Sequence, residues 1–522
     1  MKNNKSLPVS PLTRIGRRKF IATCGTCSAC LAAFPAKNLG AKPERMVINK
    51  TKVRIVFSLH SEKQAQPDWP NIGYDFRPFM QYLEKELAKQ LPDFEFITAM
   101  ANGPEEAANI LKEDSSQSID GYLVYQLNCW NRVVQTLAGS GKPVLYADFQ
   151  YGGSGGFLVY TANFIRGNNR NIGFVASSDM NDLIASVKCF EKLKKGQTAS
   201  DFVSETEKAR IKNTPPPSKL SSKPDKVDFI PVSTCIDQLK ESKILAVRNT
   251  ESAVLQPFMN IPIQQIPFSV INEAYNKADR DEAREIAEEW INRASDVIEV
   301  PAKTIEESAA MYLGMKAVLR EYEANALTIN CLGGFYGGHI HAYPCLGFYQ
   351  LNNEGLVGAC ECDIESTVTM VAFSALTNGR PGYISDPVID TSKHQIIYAH
   401  CVASNKVFGP QGSSNPYFIM NHSEDRQGAS IRSILPTGYM TTTLKANNDR
   451  KEIIFHQAVA VDNDPDDRAC RTKLCAEPKG DLEKLFRYWD QWGWHRVTFY
   501  GDLKEAVYEL ADALDYKVVE EA

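Results

Sequence analysis

From residue 53 the chain switches repeatedly between two spacings of apolar side chains. Residues 53–57 (Val-Arg-Ile-Val-Phe) form a short strand-like run, while 79–90 place apolar residues at helical intervals. The same reading predicts a strand over 94–98, a helix over 105–112 and strands over 121–125 and 143–149. Such alternation implies a parallel, doubly wound sheet, with ligands beyond the carboxyl ends of its strands. The loop 148–156, with four glycines, lies at such an end and is either a substrate loop or a tight structural turn. A second α/β unit follows, with strands at 171–175 and 243–247 and a helix over 281–294 carrying Ala283, Ile286, Ala287 and Trp290 on one face. A Thr304/Glu307 capping box should open a further helix running to about residue 321, before a strand at 327–331. The polar stretch 196–228, containing Pro215-Pro216-Pro217, reads as a surface insertion, disordered in part. The glycine-rich segment 333–338 reads as an active-site loop but lacks dinucleotide-binding spacing.

From about residue 377 the pattern changes to short strand-like runs (395–399, 430–435, 441–444, 452–455) separated by Pro, Gly and Asn-Asn turns. Helices return at 482–489 and 503–514. The expected class is therefore α/β. Two doubly wound α/β/α (Rossmann/flavodoxin-like) domains, 50–168 and 169–376, precede a β-rich C-terminal domain, 377–522.

Charge and composition narrow the partners. With 43% hydrophobic and 23% charged residues the chain is ordinary globular material. The first 41 residues carry seven Lys/Arg and no acid, so the formal charge of −5 becomes −12 without them, which argues against a nucleic-acid partner. No later apolar run approaches the roughly 20 residues of a membrane span, so stable membrane insertion is not expected. Within residues 1–41, Arg17-Arg18-Lys19-Phe20-Ile21 precedes a weakly apolar run from Ala22 to Ala36. That segment resembles a Tat export signal, implying the Tat export machinery as partner and a periplasmic or secreted location. Ten cysteines follow it without regular spacing; Cys470 and Cys475 could pair, and the others read as buried thiols.

Four residues in the last third suggest a metal: Glu361 in Cys360-Glu361-Cys362-Asp363, Asp386 in Ile384-Ser385-Asp386-Pro387, His400 ending Ile396-Ile397-Tyr398-Ala399-His400, and His495 in Gly493-Trp494-His495-Arg496. Each ends a strand-like segment, where side chains can converge. Two carboxylates and two imidazoles suit Mn²⁺, with Fe, Co or Zn as alternatives. Their order and context resemble the L-fucose/L-arabinose isomerase superfamily, most densely over residues 330–390. Glu361 matches that family's first metal-binding glutamate, Asp386 the fucose-type aspartate and His495 the C-terminal metal histidine. His400 matches a histidine that ligates in arabinose isomerases but not in the fucose type.

The resemblance implies a metal-dependent aldose–ketose isomerase acting on a free monosaccharide, a homo-oligomer, with Glu361 and Asp386 serving as both ligands and catalytic acid/base. Asp363 and Glu365 either support the ligands or form the acidic first turn of a helix. His339 and His341, two apart in a strand-like context, would share one face and with Tyr343 and Trp494 are candidates for sugar binding; Asn330 and Gln350 are weaker ones. Two other readings stay open: a non-catalytic periplasmic sugar-binding or sensor protein on the same fold, and a related epimerase.

Overall fold

Strands that are buried on both faces are apolar almost throughout, and three of the first five are. In the computed structural model, which describes residues 50–167, 169–219 and 221–522, these are β1 (Thr51–Ser58), β2 (Phe94–Ala101), β3 (Gly121–Gln126), β4 (Val144–Asp148) and β5 (Ile172–Val175). All run parallel in the order β2-β1-β3-β4-β5. The chain leaves β1 in one direction to reach β2 and in the other to reach β3, which opens a crevice at the carboxyl ends of β1 and β3. The strand expected at 171–175 to begin a second unit is thus the outer strand of the first sheet. The export-signal reading of 1–41 lies outside the described residues.

The next strands are β6 (Ile244–Arg248), β7 (Ala253–Phe258), β8 (Ile261–Pro267), β9 (Asp296–Ile298), β10 (Ala326–Ile329) and β11 (Val357–Ala359). Five of them form a sheet ordered β11-β10-β6-β8-β7, parallel except for β7 at its edge. The β7–β8 hairpin was not expected. It turns on Met259 and Asn260, both at positive φ, without the Asn-Gly or Asp-Gly signature that marks such turns.

Three local expectations are corrected. Residues 199–213 of the polar stretch form a helix, Ala199–Asn213, opened by a Thr198/Asp201 capping box and burying Phe202, Thr206 and Arg210. The helix expected from Thr304 starts earlier, at Ala302–Glu321, with Pro301 at its N-cap and no side-chain cap bond. Its proline sets the start that the capping box was read as setting. Residues 331–336 are a short helix, Cys331–Tyr336, capped by the Asn330 side chain, so Asn330 serves the backbone.

The C-terminal part contains β12 (Tyr383–Asp390), β13 (Gln395–His400), β14 (Tyr417–Met420), β15 (Ser430–Ser433), β16 (Met440–Asn447), β17 (Glu452–Asn463), β18 (Thr472–Pro478), β19 (Arg496–Tyr500) and β20 (Lys517–Glu520). Strands β16-β19-β12-β13-β18-β17 follow one another antiparallel, and β17 pairs back onto β16, closing a barrel; β20 adds in parallel to β17. The small sheet β15-β14-β9 ties the barrel region to the second sheet. Apolar packing also crosses these boundaries. One core runs from Ile244 and Leu327 through Val368 and Phe373 to Leu444 and Val497. A second runs from Val56 and Tyr146 to Tyr398 and Trp489. Burying each such side chain contributes about 1.5–3 kcal/mol, so the barrel is anchored on both sheets. Among the described residues no helix is long and apolar enough to cross a membrane.

Candidate metal centre

Glu361 is delivered by a strained turn. It follows β11, and both it and Cys362 have left-handed backbones, with φ of 61° and 53°. Non-glycine residues in that region cost about 1–3 kcal/mol each and persist where surrounding structure enforces them. Asp363 then ends the turn as N-cap of the helix Ile364–Leu376, accepting the Ser366 amide at 2.9 Å. The acidic residue read from sequence as a helix start is one, and it does more. Its Oδ2 also lies 3.0 Å from His495 Nδ1 and 2.9 Å from the buried ammonium of Lys445.

Asp386 and His495 meet through strand register. Pairing of β12 with β19 runs Tyr383↔Thr498, Ile384↔Val497 and Ser385↔Arg496. One step further sets Asp386 beside His495, and on its other side Asp386 pairs with Ala399, next to His400. Glu361, Asp386, His400 and His495 thereby bring one ligand atom each within 4.8 Å of one another. His495 Nε2 lies 3.3 Å from Glu361 Oε2 and 3.2 Å from Asp386 Oδ1; His400 Nε2 lies 3.6 Å from Glu361 Oε1 and 3.9 Å from Asp386 Oδ2. Both imidazoles are buried, and neither Nε2 has a hydrogen-bond partner. Two orphaned buried nitrogens facing two carboxylates fit a divalent cation, which would balance both negative charges.

The electrostatics describe the same need. Burial would by itself raise the Glu361 carboxyl, yet the charge of His495 and the approach of His400 hold it well below the usual range. Burial opposes protonation of His495 and His400, but Glu361, with Asp363 and Asp386 for His495 and Asp386 for His400, raises both. Two carboxylates at this range favour positive charge beside them, whether on an imidazole or on a cation. Burial also lifts Asp363, against which Lys445 and His495 hold its carboxyl well below the usual range.

The two histidines differ at their other nitrogens. The Asp363 carboxylate can only accept, so it fixes the His495 proton on Nδ1 and leaves Nε2 free as a ligand. His400 Nδ1 accepts the Cys401 amide at 3.0 Å, which puts the proton of a neutral ring on Nε2.

Among the sugar-binding candidates, Trp494 reaches the centre. Its indole N–H donates to Asp386 Oδ1, and its ring meets Trp130 edge-on with centroids 6.2 Å apart. Trp130 lies in the loop after β3 and is 53% exposed, so the first sheet contributes an aromatic wall. The glycines of 148–156 make the approach close: a Cβ on Gly155 would lie 3.3 Å from the Trp494 ring, and one on Gly153 only 2.3 Å from Gln126. Tyr343 stacks on Phe335 at 3.9 Å and donates to Asp425. His339 and His341 are not brought to the four. They lie in a turn after Gly338 (φ 66°) rather than in a strand, His339 against Asn249 and Phe268, His341 against Asn272 and Tyr275. Gln350 bonds Trp290 and Glu354.

Sequence reasoning missed Lys445 and Glu424. Lys445, 2% exposed, interrupts an otherwise uncharged strand, and that lone charge was its signal. Glu424, bonded by the Tyr336 hydroxyl at 2.6 Å, is pushed up to about 7 chiefly by burial, with the charges of Asp68 and Glu361 adding to it. A Cys470–Cys475 disulfide is not formed: both thiols are free, Cys470 facing Ser423 and Cys475 in mid-strand. A groove of about 620 Å³ lies elsewhere, lined by Phe174, Arg210 and Glu483, and holds no comparable cluster.

No protein-family model matches the chain. It is similar to proteins named sulfoquinovose isomerase: that of Priestia aryabhattai, 24% identical over 227 residues (41% of this chain, 48% of the relative), and that of Clostridium sp. (strain MSTE9), 22% identical over 248 residues (46% and 53%). A third, from Alkalicoccus urumqiensis, is 29% identical over 101 residues (19% and 23%). The chain spans about half the length of the first relatives it matches. A solved structure titled XylFII-LytSN complex matches with a TM-score of 0.15 at 12% identity, over 56% of this chain and 85% of that one, too low to assign a fold. Its curated relatives are thus distant sugar isomerases by name.

Proposed function

We propose that this chain is a metal-dependent aldose–ketose isomerase acting on a free monosaccharide, with sulfoquinovose, named in its relatives, the first substrate to test. The convergence of Glu361, Asp386, His400 and His495 carries this reading. Glu361, Asp386 and His495 would hold the ion, Mn²⁺ first among the candidates, and when bound it would polarise the two sugar oxygens. His400 differs, because its Nε2 carries the proton of the neutral ring; facing Glu361 at 3.6 Å, it would donate to a sugar oxygen brought between them.

Isomerisation by the enediol route needs a carboxylate that is ionised and can reach carbon. Glu361 meets both needs: its neighbours keep it ionised, and its side chain is 27% exposed against 10% for Asp386. Glu361 takes the proton from C2 and returns it at C1. Asp386, fixed by the Trp494 N–H, is the second acid/base group beside the sugar oxygens. Trp494 and Trp130 form an apolar wall suited to the carbon face of a sugar.

The test measures metal content of the purified full chain, then incubates it with sulfoquinovose and with other unphosphorylated aldoses in D₂O. About one Mn²⁺ per chain and deuterium at C2 of recovered aldose are expected. Glu361→Gln should lower turnover by roughly 10²–10⁴-fold. A chain that takes up no ion from excess Mn²⁺ and exchanges no C2 proton would leave a sugar-binding protein as the better reading.

A further inference from the structure

The turn that carries Glu361 is flanked by an unused pair of thiols. Cys331 opens the helix after β10, Cys360 follows β11, and those two strands are neighbours paired Thr328↔Ala359. Their Sγ atoms lie 3.0 Å apart, and both residues are buried, at 1% and 4% exposure. In the reduced form the two thiols share an S–H···S hydrogen bond, so the sulfurs already face one another. A disulfide bond, at about 2.05 Å, needs only a small further approach. Cys401 and Cys470, a second neighbouring pair of thiols, both also approach the Ser423 hydroxyl, at 3.8 and 3.6 Å.

We propose that Cys331 and Cys360 are a disulfide-forming site, and that the bond pins the strained Glu361–Cys362 turn to the end of β10. The reaction is thiol–disulfide exchange with a low-molecular-weight disulfide. One cysteine, as thiolate, attacks a sulfur of that oxidant and releases one of its thiols. The second cysteine thiolate then attacks the mixed disulfide, forming the Cys331–Cys360 bond and releasing the other thiol. Two electrons and two protons pass from the cysteines to the oxidant, which ends as two thiols. The proposal rests on the thiol geometry and stands whether or not the chain is an isomerase.

The full-length protein is treated with cystamine, alkylated after denaturation, and digested without reductant. A peptide pair joining Cys331 to Cys360, lost on reduction, is the expected result. Alkylation of both residues in the oxidised sample, or Cys360 joined to a different cysteine, would overturn the site. Amide exchange of the peptide covering residues 358–363 should slow by roughly tenfold on oxidation of the wild type. In Cys331→Ser it should not respond to cystamine. If that variant fails to fold, the wild-type comparison before and after reduction decides; equal exchange in the two states would remove the pinning role.

Discussion

Asp363→Asn separates what the acid does for metal from what it does for folding. Asn keeps one oxygen for the Ser366 amide and so still caps the helix Ile364–Leu376, but its NH2 then stands where Oδ2 accepted the His495 Nδ1–H. What disappears is the charge and the acceptor behind His495. For the proposed metal, the loss of a carboxylate behind a ligating histidine lowers affinity about 10–100-fold, or roughly 1.4–2.8 kcal/mol. For folding, Lys445 keeps its ammonium at 2% side-chain exposure with only Glu365 left, at 3.8 Å. Breaking a buried ion pair costs about 3–5 kcal/mol, and the remaining carboxylate favours the lower end. Mn²⁺ competition with a fluorescent chelator reads the first quantity; urea unfolding with metal removed reads the second. Adding Lys445→Met to Asp363→Asn removes the stranded charge. Stability should largely return while Mn²⁺ affinity stays low. Wild-type Mn²⁺ affinity in the single variant would refute the coupling of Asp363 to His495, and a double variant no more stable than the single would refute the buried-charge account.

Three further outcomes are expected. Burial would raise the Glu521 carboxyl, but Arg496 and His456 hold it at about 2, against 4.5 unperturbed; its contribution is complete above pH 4.5 and lost as pH falls toward 2. That window amounts to about 3 kcal/mol, and unfolding measured stepwise in pH should show it in wild type but not in Glu521→Gln. Trp494→Phe keeps the ring but loses the N–H to Asp386, a bond to a charged group worth about 1.5–3 kcal/mol, so kcat/KM should fall roughly 10–100-fold; a change within twofold would show that Asp386 is oriented by other contacts. Replacing Arg17-Arg18 by Lys-Lys should hold the protein in the cytoplasm on fractionation, and unchanged export would dismiss the Tat proposal.

Much of the backbone was readable, because β3 and β4 are nearly continuous apolar runs, β1 is apolar at Val53 and Ile55–Phe57, and the C-terminal strands are punctuated by turn residues. Strand order was not, since parallel neighbours leave no local mark. The helix Ala199–Asn213 was hidden because two of its three buried residues are Thr206 and Arg210, which look like surface. His339 and His341 misled for the opposite reason: their spacing suits a strand, but Gly338 turns the chain first. At the site, residue types were visible while their meeting was not. Only the family resemblance joined residues 361 and 495 across more than a hundred positions. Register supplies the physical reason, and register is a property of paired strands, absent from any one of them.

Closure of the barrel gives that register a temporal meaning. A slip of one residue between β12 and β19 would set Ser385 or Pro387 opposite His495, and in a ring no strand can slip alone once β17 has paired with β16. The four side chains therefore have no common focus in the unfolded chain and share one only in the paired ring. An ion bound there would report the end of folding rather than guide its beginning. Which ion fits there would be set by the closed ring, whose register already fixes the four ligand atoms within 4.8 Å of one another.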